Sequence, residues 1–323
     1  MKFIKEVIAV ILACFIIVSF CYAEKSTPIT IKMGIQPWIG YGPWYIAQEK
    51  GLFRKYNLKL ELINFVEDKE VNAALASGEM HAANMGNYQA IKLFNAGLDI
   101  RIVLAEDISF KADAILASID IKSISDLKGK KVAYEEGTVS EVLISYALKQ
   151  NGLSVKDINP IFMPTANAGA ALIAKKVDAA VTYEPYISSV IENNINIHLL
   201  YTAAEKEGII SDVLVVNESF LKKNPKPIIK LLKVWDEAVS YYNKNPDDAK
   251  SIIAKGVESN PDELKTAFDG IVLYDLKDNC RILVNDFRQT LKDVATLYQS
   301  IGMLDKEVDI DKLIQDQYLK NDK

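Results

Sequence analysis

The residues with the most chemical potential in this sequence sit on short turns, not on helix faces. The stretch WIGYGPWYIAQEKGLF, Trp38 to Phe53, places two tryptophans and two tyrosines on a Gly-Pro turn that runs into a helical pattern. Four turns of this kind follow strand-like runs. They are Gln36-Pro37-Trp38-Ile39-Gly40-Tyr41, Asn84-Met85-Gly86-Asn87-Tyr88, Glu135-Glu136-Gly137-Thr138-Val139-Ser140 and Thr182-Tyr183-Glu184-Pro185. In open α/β sheets, ligands bind beyond the carboxyl ends of the strands, where helix N-termini converge. Each such turn offers backbone N–H groups and the positive end of a helix dipole to an anionic or strongly polar group. Trp and Tyr supply rigid walls with a polar edge. Trp38 and Trp44 either wall a cleft this way or pack beneath the turn as core.

The charged residues constrain what such a cleft could hold. The arginines are Arg54, Arg101, Arg281 and Arg288, and none falls on one of the four turns. Arg54 follows a helix end and reads as surface; Arg101 lies in a strand-like run and calls for an acidic partner. An anion would therefore be held by amides, hydroxyls and Asn side chains without a guanidinium fork. Asp107, Glu135, Glu136, Glu184 and Asp212 fall near the expected cleft or its hinges. Glu184, with Trp38, Tyr41, Tyr88 and Tyr183 nearby, could hold an amine through charge and cation–π contact. The two histidines, His81 and His198, and Cys280 show no metal-ligand spacing. No Gly-x-Ser-x-Gly elbow and no phosphate loop occurs. No metal and no cofactor is expected.

The elements that must position these turns alternate. Strand-like runs at Ile29–Met33, Leu58–Phe65, Ala82–Met85 and Ile100–Ala105 are separated by helical patterns. The same grammar restarts with Ala114–Ser118, Lys131–Tyr134, Pro160–Met163, Ala179–Thr182, Ile195–Tyr201 and Asp212–Val216. From Pro227 the chain reads as amphipathic helices, with Ile228–Lys244, Pro246–Lys255, Pro261–Gly270 and Asp286–Ile301. Strands alternating with helices imply parallel sheets with helical crossovers, and two rounds imply two α/β lobes. Ordered crossings are expected near Asp107–Lys111 and Gly208–Asp212.

The N-terminal residues 1–23 read as a secretory signal. Lys2 and Lys5 precede a charge-free run from Val7 to Tyr22, and Cys21 and Ala23 stand at the −3 and −1 positions of a cleavage site. The mature chain would be residues 24–323, with 36 basic and 42 acidic residues once Lys2, Lys5 and Glu6 are gone. That balance, with no long basic run, argues against nucleic acid as a partner. Cys280 would be the one remaining cysteine, so no internal disulfide could form, and a large core must hold an exported chain of this length.

The chain resembles the periplasmic substrate-binding proteins of ABC importers, in the branch that handles aliphatic sulfonates, taurine, nitrate and thiamine-precursor pyrimidines. The matching stretches are GYGPWYIAQEKGLFRKYNLKLEL (Gly40–Leu62), ALASGEMHAANMGN (Ala74–Asn87), DLKGKKVAYEEGT (Asp126–Thr138) and ALIAKKVDAAVTYEPY (Ala171–Tyr186). The resemblance implies an α/β, two-lobe periplasmic binding protein type 2 fold. Each lobe would be a mostly parallel sheet flanked by helices, with 24–108 and 212–323 forming one lobe and 109–211 the other. It implies closure on a small ligand, docking on a permease and its ATPase, an extracytoplasmic location, no catalysis and a monomer. Its ligand-binding positions fall on Gln36, Trp38, Tyr41, Asn84, Asn87, Gly137, Thr138, Ser140, Tyr183 and Glu184, and Tyr88 adjoins them on the same turn. Sulfonate-like ligands rank first and nitrogenous heterocycles such as pyrimidines or riboflavin second. A fungal enzyme branch of this fold makes thiamine pyrimidine; it carries a cysteine-rich motif and no export signal, the reverse of this chain.

Overall fold

In a computed structural model, residues 29–319 are described apart from 193, 263, 265 and 266. The expected signal at 1–23 lies outside them. Eleven strands form two sheets. In chain order they are β1 (Thr30–Ile35), β2 (Lys59–Asn64), β3 (Ala82–Gly86), β4 (Ile100–Ser109), β5 (Asp113–Ser118) and β6 (Lys131–Tyr134). There follow β7 (Asn159–Phe162), β8 (Ala179–Tyr183), β9 (Ile197–Thr202), β10 (Ser211–Asn217) and β11 (Ile271–Leu273). The first sheet has the order β11-β4-β10-β3-β1-β2, the second β7-β6-β8-β5-β9.

Each sheet is parallel except where the chain arrives from the other one. β1 pairs parallel with β2 and β3, while β10 runs antiparallel to β3 and β4. β6 pairs parallel with β7 and β8, while β5 runs antiparallel to β8 and β9. β5 and β10 are the strands entered directly after the two crossings. A strand that has just crossed enters at the end of the sheet facing its neighbour, so it must run against the strands whose carboxyl ends point there. The short edge strand β11 also runs antiparallel, against β4.

The C-terminal helices pack beneath the first sheet. The Pro225–Lys244 helix buries Leu231, Trp235 and Ala238 in one apolar cluster with Trp44 and Ile46 of the Gly42–Glu49 helix. The rings of Trp44 and Trp235 are 4.9 Å apart. Trp44 is therefore core, with no exposed surface. Arg101 finds the acidic partners its burial demands, Glu218 at 2.9 Å and Asp99 at 3.0 Å. The stretch Pro261–Gly270, expected as a helix, holds only a 3-10 turn at Ala267–Gly270 among its described residues and leads into β11.

Candidate functional site

The carboxyl ends of the parallel strands in both sheets face one cavity of about 40 Å3. The first sheet contributes Gln36, Trp38 and Tyr41 after β1, Asp68 at the start of the Asp68–Ala76 helix, Gly86 and Gln89 after β3, and Ile210 and Asp212 at the start of β10. The second contributes Asp113 at the start of β5, Val139 after β6 and Tyr183 at the end of β8. Trp38 and Tyr183 touch edge to face in the cavity wall, with ring centroids 5.8 Å apart. Tyr183 in turn abuts Tyr186 at 5.3 Å. Tyr186 lines a neighbouring chamber of about 470 Å3, together with Pro37, Tyr45 and Phe65.

Two glycines set this geometry. A Cβ on Gly40 would lie 1.8 Å from Asp107 Oδ2. Glycine there leaves room for the Trp38 indole N–H to donate to Asp107 at 2.9 Å, which fixes the ring as a wall. A Cβ on Gly86 would lie 2.4 Å from Val139 Cγ1. Its absence lets the helix start of the second sheet approach the first.

The cavity is acidic. Asp68, Asp113 and Asp212 line it, Glu106 and Asp107 lie behind it, and the lining holds no Lys, Arg or His. Burial raises all five carboxyls above their ordinary range. Desolvation, with the charge of Glu135, lifts Asp68 to about 7. Desolvation, with Asp212 and Glu184 nearby, lifts Asp113 to about 8 despite Ser109. Asp212 is lifted by desolvation to about 6, held down by the hydroxyl of Tyr41, which donates to its Oδ1 at 2.6 Å. Asp107 goes well up through desolvation and the adjacent Asp212. Glu106 also goes well up through desolvation, while the Trp44 indole donates to its Oε1 at 2.8 Å. The indole N–H groups of Trp38 and Trp44 give these two acids partners inside β4, which continues through Glu106-Asp107 to Ser109, past the expected end at Ala105.

The amides at the helix starts are already engaged. Thr165 N and Asp68 N both donate to Glu135, at 2.9 and 3.2 Å, so this carboxylate ties the second sheet to the first. Gly137 N donates to Glu141 at 2.7 Å and Ser140 N to Thr138 Oγ1 at 3.1 Å. Ser188 N and Oγ both donate to Glu184, each at 3.0 Å. These side chains satisfy donors that a helix start leaves orphaned.

Of the residues expected to bind, Gln36, Trp38, Tyr41 and Tyr183 line the cavity together. The others stand behind it. Asn84 donates to Gly34 O and accepts from Trp44. Asn87 donates to Ser211 Oγ and accepts from the Tyr298 hydroxyl. Tyr88 is core, its hydroxyl donating to Met303 O. Gly137, Thr138, Ser140 and Glu184 form the caps just described. Asp68, Gln89 and Asp113 line the cavity without having been singled out as binding positions. Asp113 opens a reversed strand, a position that strand carboxyl ends do not reveal. Asp68 starts a helix whose apolar pattern begins only at Val71, so the pattern does not reveal it. The signal available for both was an acid within a few residues of a strand–turn boundary.

Two α/β sheets, joined by two crossings around a shared cavity, make up the fold of the periplasmic binding proteins. A family model described as NMT1/THI5 like matches residues 38–249, and the chain belongs to that family. It is 28% identical over 256 residues to an aliphatic sulfonates-binding protein of Escherichia coli, covering 78% of this chain and 79% of the relative. It is 26% identical over 303 residues to a protein of Haemophilus influenzae named for thiamine biosynthesis, covering 88% and 90%. Among solved structures, the alkanesulfonate-binding protein SsuA of Xanthomonas axonopodis pv. citri, bound to MOPS, shares the fold with a TM-score of 0.75. Its identity is 18%, over 90% of this chain and 99% of that one.

Proposed function

We propose that this chain captures a small polar solute between two lobes and presents it to the permease and ATPase of an ABC importer. The lobes would be 24–108 with 212–323, and 109–211, hinged at the crossings 107–111 and 208–212. The observation that carries the reading is the shared cavity, to which Trp38 from one sheet and Tyr183 from the other contribute rings that touch edge to face. A guest touching both is bound only when the lobes meet, so its binding energy drives closure. The protein acts outside the cytoplasm, exported by its leader, as a monomer and without turnover. Sulfonate-, taurine- or nitrate-like solutes follow from the relatives' names. A nitrogenous heterocycle is the second reading, favoured by ring walls set beside carboxyl groups.

A thermal-shift panel of taurine, alkanesulfonates, nitrate, amino-pyrimidines and riboflavin, joined to small-angle X-ray scattering, tests this. One solute class should raise the melting temperature and compact the particle, with the solute recovered unchanged. Consumption of the solute, or no shift and no compaction with any of them, would contradict it.

A further inference from the structure

We infer that the solute gripped here carries a cationic nitrogen, an ammonium or amidinium, held by Asp68, Asp113 and Asp212 with its body against Trp38 and Tyr183. This rests on the solute-capture reading and narrows the class of ligand.

The lining offers acceptors and no compensating positive charge. Asp113 and Asp212 are almost fully buried, at 6% exposure each. Buried carboxylates without a cation are costly unless paired. Asp68 faces Gln36 and Gln89, which donate to it, and also Glu135 and Asp212. Asp113 faces Ser109, Asp212, Glu184 and Asp68. Asp212 faces Tyr41 and Asp107. The partners are therefore neutral donors or further acids. The amide of Gln89 adds an independent sign: it is only 2% exposed, lines the cavity, and its Oε1 accepts no hydrogen bond from the described residues. A buried acceptor left open calls for an N–H or O–H donor from the guest. The helix-start amides that an anion would use are held by Glu135, Glu141, Thr138 and Glu184. A zwitterion such as taurine satisfies the acidic wall through its ammonium; ethanesulfonate and nitrate do not. The aromatic rings add cation–π attraction to a nitrogen placed over their faces.

Matched probes separate charge from shape. Calorimetric titration would compare taurine with ethanesulfonate, benzylamine with benzyl alcohol and benzamidine with benzamide, and test nitrate alone. Wild type would be set against Asp68→Asn and Asp113→Asn. The cationic member of at least one pair should bind about tenfold or more tighter than its neutral or anionic partner. Each Asn variant should lose about tenfold of that affinity while melting no lower than wild type, because the exchange removes a buried acid without removing volume. If ethanesulfonate or nitrate binds as well as taurine, and the Asn variants bind it equally or more tightly, the charge inference falls while solute capture stands. If no member of any pair binds at millimolar concentration and scattering shows no compaction, both fall.

Discussion

The wall of the cavity and the shell just behind it are built from the same residue types, yet they behave differently. Trp38 and Trp44 lie six positions apart, one before the turn after β1 and the other in the helix that follows it. Trp38 faces the cavity, with its indole N–H on Asp107. Trp44 is sealed against Trp235 and Phe53, with its N–H shared by Asn84 and Glu106. The acids divide in the same way. Glu135, Glu141 and Glu184 accept from helix-start amides, while Asp68, Asp113 and Asp212 face the empty side. Neither residue type nor position on a turn tells wall from shell. What decides is what lies opposite, helix-start amides for the shell acids and the cavity for the wall acids.

The comparison can be broken most forcefully at the tryptophans. Trp44→Ala should cost about 3–5 kcal/mol of stability in urea denaturation, as for other fully buried aromatics. Trp38→Ala should lower ligand affinity by about tenfold and destabilise much less. Similar stability losses for both would erase the distinction. A smaller effect separates the acids. Glu184→Gln should cost about 1 kcal/mol of stability through the weakened cap and leave the taurine-to-ethanesulfonate preference unchanged. A collapse of that preference would put Glu184 among the wall residues.

The weakest expected effect is the pH dependence of the unliganded protein. Asp113, Asp68 and Asp212, raised by burial to about 8, 7 and 6, hold protons that the unfolded chain, near 3.8, has already released. The folded state then binds more protons, so the stability these three acids contribute is fully present below about pH 4 and is lost as pH rises through about 6 to 8. Asp113→Asn should flatten the decline at its alkaline end. A stability that rose with pH across that window in thermal melts would mean that these acids are paired with cations in the free protein.

Much of the architecture was legible because apolar alternation and helical periodicity are local. The first three strands, the restart of the pattern near Ala114 and the long helix ending at Lys244 follow from spacing alone. β11 was not legible: its three residues carry too short a pattern, and it exists because the β4 edge offers pairing partners at Asp107–Ser109. The site divided along the same line. Gln36, Trp38, Tyr41 and Tyr183 stand where parallel strands end, a position that sequence order reveals. Asp113 stands where a crossing strand begins, and only the reversal of β5 brings that end to the cavity. The engagement of the helix-start amides by Glu135 depends on Thr165 and Asp68, distant in sequence, and no local pattern shows it.

The central claim is that the wall acids ionise against a positively charged guest. The most direct measurement is the number of protons exchanged when the tightest-binding amine of the probe panel is titrated near pH 7 in two buffers of different ionisation enthalpy. Net release of protons is expected, because the guest favours the charged forms of Asp68 and Asp113. Binding with no exchange, or with net uptake, would contradict the claim.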